Sequence, residues 1–116
     1  MTPAELARRT YIALIHYPVY DKHGRTVATS ITNLDIHDIA RSSKTYGLAT
    51  YFIVHPVLAR RELAQRVINH WQIGNGQKQN DFRREALDTV VVTSSIEDVV
   101  ATINSCHGAL PLVVGT

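Results

Sequence analysis

Apolar runs of β-branched and aromatic residues alternate along this chain with segments whose apolar residues lie three or four positions apart. Short continuous apolar runs are typical of strands buried on both faces, and the wider spacing is typical of amphipathic helices. The runs predict four strands, at residues 10–19, 48–54, 89–93 and 110–114. Three helices are predicted between residues 32 and 47, 56 and 73, and 96 and 106.

The first predicted helix follows a turn at residues 20–25 and a short extended link at residues 27–31. Thr32 or Asn33 can cap it, Asp35 can complete a capping box, and Gly47 ends it. One face carries the apolar and small positions, which are Ile36, Ile39, Ala40 and Ser43. The other faces carry polar residues, which are Asp35, Asp38, Arg41, Ser42 and Thr45.

Helix signals also mark the second and third predicted helices. Pro56 opens the second, at a position where its missing N–H does no harm. Its apolar side consists of Val57, Leu58, Leu63, Val67, Ile68 and Trp71. Gly74-Asn75-Gly76 is expected to end this helix and to begin a polar loop over residues 77–85, after which Ala86 and Leu87 lead into the third strand. Ser94 or Ser95 caps the third helix, and Gly108 ends it.

The resulting order is β-α-β-α-β-α-β, which predicts one Rossmann-like α/β domain over residues 1–116 with a parallel sheet and right-handed crossovers. In such sheets, ligands bind at the carboxyl ends of the strands. The last predicted strand ends next to Gly115 and Thr116, so these two residues are expected at that edge.

The composition is that of an ordinary globular chain of 116 residues, with 45% hydrophobic and 19% charged residues. No apolar run has the length of a membrane span, and the N-terminus lacks the apolar core of a signal peptide. We therefore expect a soluble, cytoplasmic protein. Cys106 is the single cysteine, which excludes an internal disulfide, and its place in a helical pattern suggests a small packed residue.

Positive charge is concentrated between residues 60 and 84, although the net charge is only +2. The cations there are Arg60, Arg61, Arg66, Lys78, Arg83 and Arg84, against the acids Glu62 and Asp81. This excess can contact RNA phosphates. On charge alone, a solvated helix face and loop is the more common explanation.

Two further candidate sites lie in the first helix. Arg41 can orient a phosphate or stabilise developing negative charge, although a surface ion pair with Asp38 or Asp35 is an equally good explanation. The group Asp35, His37 and Asp38 contains residue types that bind metal ions, as in a metal-dependent hydrolase. Helix capping explains these residues better, so no metal site is predicted.

The run from Asn33 to Arg41, followed by Gly47 and a buried strand, resembles the first motif of the SPOUT methyltransferases, knotted enzymes that methylate RNA with S-adenosylmethionine. Residues 10–19 and 29–48, the region of Trp71 and its following glycines, and the closing PLVVGT extend the likeness over nearly the whole chain. Together they resemble the N-terminal part of a bacterial SPOUT subgroup of unassigned substrate.

This resemblance implies roles for particular residues. Arg41, six residues before Gly47, would assist catalysis or hold a phosphate, with Asn33 and Asp35 nearby. Asp35 stands where ribose-methylating members usually have asparagine, which leaves ribose and base methylation equally open. Gly115 and Thr116 would begin the first loop that binds S-adenosylmethionine.

The same resemblance implies partners and limits. The substrate would be tRNA or rRNA, contacted by the basic segment, and the intact domain would be a homodimer, with no role for DNA or a membrane. The knot comes from later sequence in the family, so this chain would lack it. The alternative function is a non-catalytic α/β module that binds RNA or protein, or assembles with it, without a cofactor.

Overall fold

The computed structural model describes residues 1–73 and 81–116 of the chain. The described strands are β1 (Tyr11–Ile15), β2 (Val19–Tyr20), β3 (Thr26–Val27), β4 (Thr50–Val54) and β5 (Val90–Thr93). The described helices are α1 (Pro3–Arg8), α2 (Asn33–Thr45), α3 (Leu58–Ile73), α4 (Asp81–Leu87) and α5 (Ile96–His107). This mixture confirms the predicted α/β class.

The main sheet consists of three parallel strands in the order β1-β4-β5. Thr50 of β4 lies opposite Tyr11 of β1, and Tyr51 of β4 lies opposite Val90 of β5. Because β1 and β4 are parallel, α2 must begin at the carboxyl edge of the sheet and return the chain to the amino edge. The return is visible in the hydrogen bond from the Ala49 N–H to the Thr10 carbonyl, at 2.9 Å.

The sheet divides the hydrophobic core into two parts, because successive side chains of β4 point to opposite faces. On one face, Tyr51 and Ile53 pack against α2, α3 and α4, in a cluster with Ile36, Ala40, Ala64, Ile68, Ala86 and Leu87. On the other face, Phe52 and Val54 pack against Val99 and Ile103 of α5. Helices therefore cover both faces of the central strand.

The limits of α2 agree with the prediction. Thr32 is the capping residue, since its hydroxyl accepts a hydrogen bond from the Asp35 N–H at 3.0 Å. The Asp35 carboxylate accepts one from the Thr32 N–H in return, also at 3.0 Å, which completes the predicted capping box. At the other end, Gly47 has a φ of +71°, a conformation that favours glycine and stops the helix.

The segment before α2 forms an antiparallel hairpin of β2 and β3 around the predicted turn. The Asp21 carboxylate accepts hydrogen bonds from the His23 and Arg25 N–H groups, at 2.8 and 2.9 Å. The first strand therefore ends at Ile15, earlier than predicted, because Val19 belongs to the hairpin. The short link predicted at residues 27–31 contributes Val27 to β3.

Helix α4 corrects the prediction of a loop over residues 77–85. Residues 81–87 are helical, and Ala86 and Leu87 are completely buried against the other helices. Its three apolar residues, Phe82, Ala86 and Leu87, span less than two helical turns, which is too short to establish a helical period, so the pattern missed this helix. Residues 74–80, including the predicted stop at Gly74-Asn75-Gly76, lie outside the described residues.

The predicted fourth strand is wrong in this structure. Residues 110–114 form no pairing with the described strands, and Leu112 is 92% exposed. A strand is stabilised by pairing and packing against its neighbours, which an apolar run alone does not supply. The observed order therefore ends in α5 rather than in a fourth strand.

Three smaller findings complete the fold. Helix α1 was not predicted; Thr2 caps it and Pro3 opens it. Cys106 is exposed rather than packed, because the buried positions of α5 end at Ile103. Within residues 1–73 and 81–116, no helix has the length and apolar character needed to cross a membrane.

Candidate functional site at the carboxyl edge of the sheet

Two buried histidines stand at the carboxyl edge, each directly after a strand. His16 follows β1 and is 2% exposed, and His55 follows β4 and is 3% exposed. Their ring centroids are 5.8 Å apart. Buried polar rings need hydrogen-bond partners, so their contacts define what this edge can do.

His55 has a partner at each ring nitrogen. Its Nε2 lies 3.0 Å from the Thr29 carbonyl, and its Nδ1 accepts a hydrogen bond from the Val57 N–H at 3.1 Å. These partners require a neutral ring with its proton on Nε2. Burial lowers the pKa of His55, and the nearby charges of His16, Arg60 and Arg61 lower it further, which favours the same neutral form.

His16 meets two acceptors. Its Nδ1 lies 3.0 Å from the Val54 carbonyl, and its Nε2 lies 3.4 Å from Oδ2 of Asp35. A neutral ring has one proton and can donate to only one of these partners, whereas a doubly protonated ring donates to both. Protonation would make the contact with Asp35 an ion pair.

Thr29, in the segment before α2, is hydrogen-bonded to both histidines. Its N–H donates to the His16 carbonyl at 2.8 Å, and its own carbonyl accepts from His55. We call His16, Thr29, Asp35 and His55 the histidine clamp. The clamp holds the loop between β3 and α2 against the ends of β1 and β4.

Asp35 joins the clamp to the start of α2. Besides capping the helix, it presents its backbone carbonyl to the Tyr51 hydroxyl, which donates at 2.8 Å. Its side chain is 28% exposed, so solvent or a ligand can reach its carboxylate. The neighbouring predicted site residue, Asn33, is exposed at the first position of the helix.

Two of the predicted RNA-contacting cations lie beside the clamp. The Arg61 Nη1 donates to the His55 carbonyl at 2.9 Å, which places this guanidinium at the end of β4. Arg60 is exposed and close enough to His55 to affect its pKa. Positive charge is therefore concentrated where the first turns of α3 meet the edge of the sheet.

The other predicted cations do not extend this surface. Arg66 is exposed on α3 but lies about 140° around the helix axis from Arg61, at about 100° per residue. Arg84 lies on a different helix, α4. Lys78 and the side chain of Arg83 lie outside the described residues. The described part of the basic segment is thus divided between two helices.

Arg41 is separated from the clamp along α2. It comes six residues after Asp35, about 9 Å further along the axis at 1.5 Å per residue, towards the amino edge of the sheet. There it lines a shallow depression of about 430 Å³, which we call the Arg41 depression, with Asp38, Ser42, Thr45, Tyr46 and Phe82. With the acidic side chains that the structure describes, Asp35 and Asp38 included, its guanidinium forms no ion pair.

The two residues predicted to bind the cofactor are not assembled with either region. Gly115 and Thr116 are exposed, and a Cβ added to Gly115 would meet no atom within 4 Å. Their position follows from the unpaired state of residues 110–114.

The three residues considered for a metal site have separate surroundings. Asp35 belongs to the clamp, Asp38 lines the Arg41 depression, and His37 packs edge-on against Trp71 with centroids 5.6 Å apart. A search of the described part of the chain finds no group of three His, Cys, Asp or Glu residues suited to a metal ion.

The two clamp histidines were not predicted as site residues from the sequence. A signal was present in the sequence. Each histidine directly follows an apolar strand and comes just before a proline, Pro18 two residues after His16 and Pro56 one residue after His55. A polar residue between a buried strand and a proline lies at the end of that strand, where α/β proteins bind ligands.

Comparisons with known proteins extend these observations. A family model described as SAM-dependent RNA methyltransferase matches residues 9–116. An uncharacterized protein of Aquifex aeolicus is 42% identical over 106 residues, which is 91% of this chain and 52% of that protein. Proteins of Nitratidesulfovibrio vulgaris and Oleidesulfovibrio alaskensis, each named tRNA (guanine-N(1)-)-methyltransferase, are 42% identical over 109 residues, 94% of this chain and 26% of each protein. The chain therefore spans about half or a quarter of the length of these relatives.

Proposed function

The chain belongs to the SAM-dependent RNA methyltransferase family, and from this we propose that it takes part in methyl transfer from S-adenosylmethionine to tRNA or rRNA. The observation that carries the proposal is the family match, because it spans all five described strands and α2 to α5. The names of the two tRNA methyltransferases support an RNA substrate. They describe proteins of which about three quarters lies outside the match, so they do not identify the methylated base.

We assign the clamp end of α2 to the reacting part of the RNA. Asp35 offers a partly exposed carboxylate beside a buried histidine, a combination that can accept a proton from a hydroxyl or a base nitrogen. Asn33 is exposed on the same helix end and can position the substrate by hydrogen bonds. Arg60 and Arg61 add positive charge near this edge, which attracts the RNA backbone.

We assign Arg41 to the RNA rather than to the carboxyl edge. A guanidinium that forms no ion pair within the described residues is available for a phosphate or for negative charge that develops during transfer. Its distance along α2 from Asp35 means that the two side chains would contact different parts of one bound RNA.

The described residues do not by themselves fit S-adenosylmethionine, because Gly115 and Thr116 stand in open surroundings. We propose that these two residues contact the cofactor in a homodimer of SPOUT type in the cytoplasm. The exposed apolar side chains of Leu110, Leu112, Val113 and Val114 support an association surface there.

The test combines calorimetric titration of this protein with S-adenosylmethionine and transfer of a labelled methyl group to bulk cellular RNA. Saturable heat and labelled RNA support the proposal. A folded protein that gives neither heat nor label would overturn the enzymatic function. Sedimentation equilibrium tests the dimer, which fails if the mass stays monomeric at high protein concentration.

A second function, a non-catalytic module that binds RNA or assembles with protein, is favoured by the same open surroundings of Gly115 and Thr116. It predicts association without any heat from S-adenosylmethionine. Contacts with phosphates weaken linearly in the logarithm of salt concentration, so the salt dependence of binding distinguishes RNA from a protein partner.

A further inference from the structure

Two aromatic side chains are exposed on the border of the Arg41 depression. Tyr46, the residue that ends α2, is 74% exposed, and Phe82, in the first turn of α4, is 44% exposed. They come from different helices, and they border the same depression because α2 and α4 pack against each other. Large aromatic side chains usually bury much of their surface in a folded chain, so two at one depression suggest a binding surface.

The cation and hydroxyl groups of the depression fit a phosphate better than an apolar partner, although the carboxylate of Asp38 on the same lining does not. Arg41 forms no ion pair with the described residues, and the Ser42 side chain is exposed beside it. The Thr45 hydroxyl donates to the Arg41 carbonyl at 2.8 Å, so its oxygen can still accept a hydrogen bond. A volume of about 430 Å³ lies in the range of about 300–1,000 Å³ found for pockets that hold small molecules.

We infer that the Arg41 depression binds an unpaired nucleotide of RNA, with its base stacked on Tyr46 or Phe82 and its phosphate contacted by Arg41. The inference rests on the proposed RNA substrate and adds the part of the RNA that is recognised. Aromatic side chains stack with bases that are splayed out of a helix, whereas the bases of an A-form duplex are stacked on each other. The substrate would therefore present a loop, a bulge or a single-stranded end at this surface.

A protein partner is the main competing occupant of such a surface. An apolar partner would leave the Arg41 guanidinium buried without a counter-charge, which costs free energy. An RNA nucleotide supplies a flat ring and an anion together, and both match what the depression exposes. The choice of RNA thus follows from the combination of rings and cation.

The inference is tested on the complete protein with a fluorescein-labelled, unstructured RNA of ten nucleotides, by fluorescence anisotropy. At least one of Tyr46→Ala and Phe82→Ala, the one that removes the stacking ring, should raise Kd by roughly five-fold to one hundred-fold, the usual range for loss of a stacked base. Arg41→Gln should reduce the slope of log Kd against log salt concentration by about 0.7, as expected for one lost phosphate contact on a single strand.

Two control variants separate stacking from general damage. Tyr46→Phe keeps the ring and should keep the Kd within about two-fold of that of the unchanged protein. If the Tyr46 hydroxyl contacted the RNA by a hydrogen bond instead, Tyr46→Phe would raise the Kd. Tyr20→Ala removes a tyrosine that is 81% exposed on the hairpin and should leave the Kd unchanged. Far-UV circular dichroism checks that each variant is folded.

The outcomes separate this inference from the proposed function. If the unchanged protein binds the RNA but Tyr46→Ala and Phe82→Ala behave like Tyr20→Ala, the nucleotide site is wrong and the RNA function stands. If the unchanged protein binds no RNA, both fail. RNA binding that does not depend on salt, or a salt slope that Arg41→Gln leaves unchanged, would overturn the assignment of Arg41 to a phosphate.

Discussion

The two ends of α2 carry similar polar residues but differ in how these residues are used. At the carboxyl edge, Asp35 is hydrogen-bonded within the histidine clamp, and His16 and His55 are almost completely buried. Towards the amino edge, Arg41 and Tyr46 are exposed, and Arg41 forms no ion pair with the described residues. The polar groups of the first end are therefore largely hydrogen-bonded within the fold, whereas the cation and the aromatic ring of the second end are exposed.

Residues that are close together in a short sequence motif therefore need not lie in one site. The resemblance grouped Asn33, Asp35 and Arg41 because they lie close together in the sequence. On a helix, six residues separate two side chains by about 9 Å along the axis and place them on different faces. A ligand that contacts both ends must be extended, as a strand of RNA is.

The largest expected effect is on methyl transfer when Arg41 is removed. Arg41→Ala should reduce transfer to RNA by roughly 100-fold, because the loss of its phosphate contact displaces the reacting group from its productive position. The midpoint of urea unfolding should stay the same, because the side chain is exposed and forms no ion pair within the described residues. Lys22→Ala, which removes an exposed cation of the hairpin turn, is the control. Unchanged turnover would contradict the role of Arg41.

Substitutions at the clamp end should mainly change the free energy of unfolding. His16→Ala should lower the free energy of unfolding by about 2–4 kcal/mol, because it leaves a cavity and removes the contacts of the buried ring with the Val54 carbonyl and with Asp35. Urea unfolding measures this change. His23→Ala removes an exposed histidine of the hairpin turn and should change stability by less than about 0.5 kcal/mol. Equal effects of the two variants would mean that the clamp contributes nothing.

Stability should also depend on pH through His55. Its pKa is lowered in the folded state, so the unfolded chain binds a proton at a higher pH than the folded chain does. This contribution is fully present above the unfolded pKa of about 6.5 and is lost as pH falls through the folded pKa. Urea unfolding at a series of pH values measures it. In His55→Gln the dependence in this range should become weaker, and an unchanged profile would rule out His55 as its source.

The smallest expected effect comes from the cap of α2. Thr32→Ala removes the hydroxyl that accepts from the Asp35 N–H and should destabilise the protein by about 1 kcal/mol. Thr32→Ser keeps the hydroxyl and should restore most of that stability. RNA affinity at the Arg41 depression should not change, because the cap is at the other end of the helix. A loss of RNA affinity in Thr32→Ala would show that the two ends are coupled.

Much of the framework could be predicted from local patterns. The capping box at Thr32 and Asp35, the stop at Gly47 and the buried face of Ile36, Ala40 and Ser43 all involve residues within a few positions of each other. The pattern of apolar and polar residues gave wrong predictions where the local signal was weak or where it did not suffice to form the element. Helix α4 has too few apolar residues to show a period, and residues 110–114 are apolar but have no pairing with the described strands.

The sequence alone determined the α/β class, the limits of α2 and the likeness to RNA methyltransferases, because caps, periodicity and motifs depend on neighbouring residues. Which polar residues lie close together could be seen only from the tertiary structure. Residues as far apart as His16 and His55 meet because β1 and β4 are adjacent and parallel. Arg41 and Phe82 line one depression because α4 packs against α2. Contacts between distant residues depend on strand register and helix packing, which the pattern of apolar and polar residues does not specify.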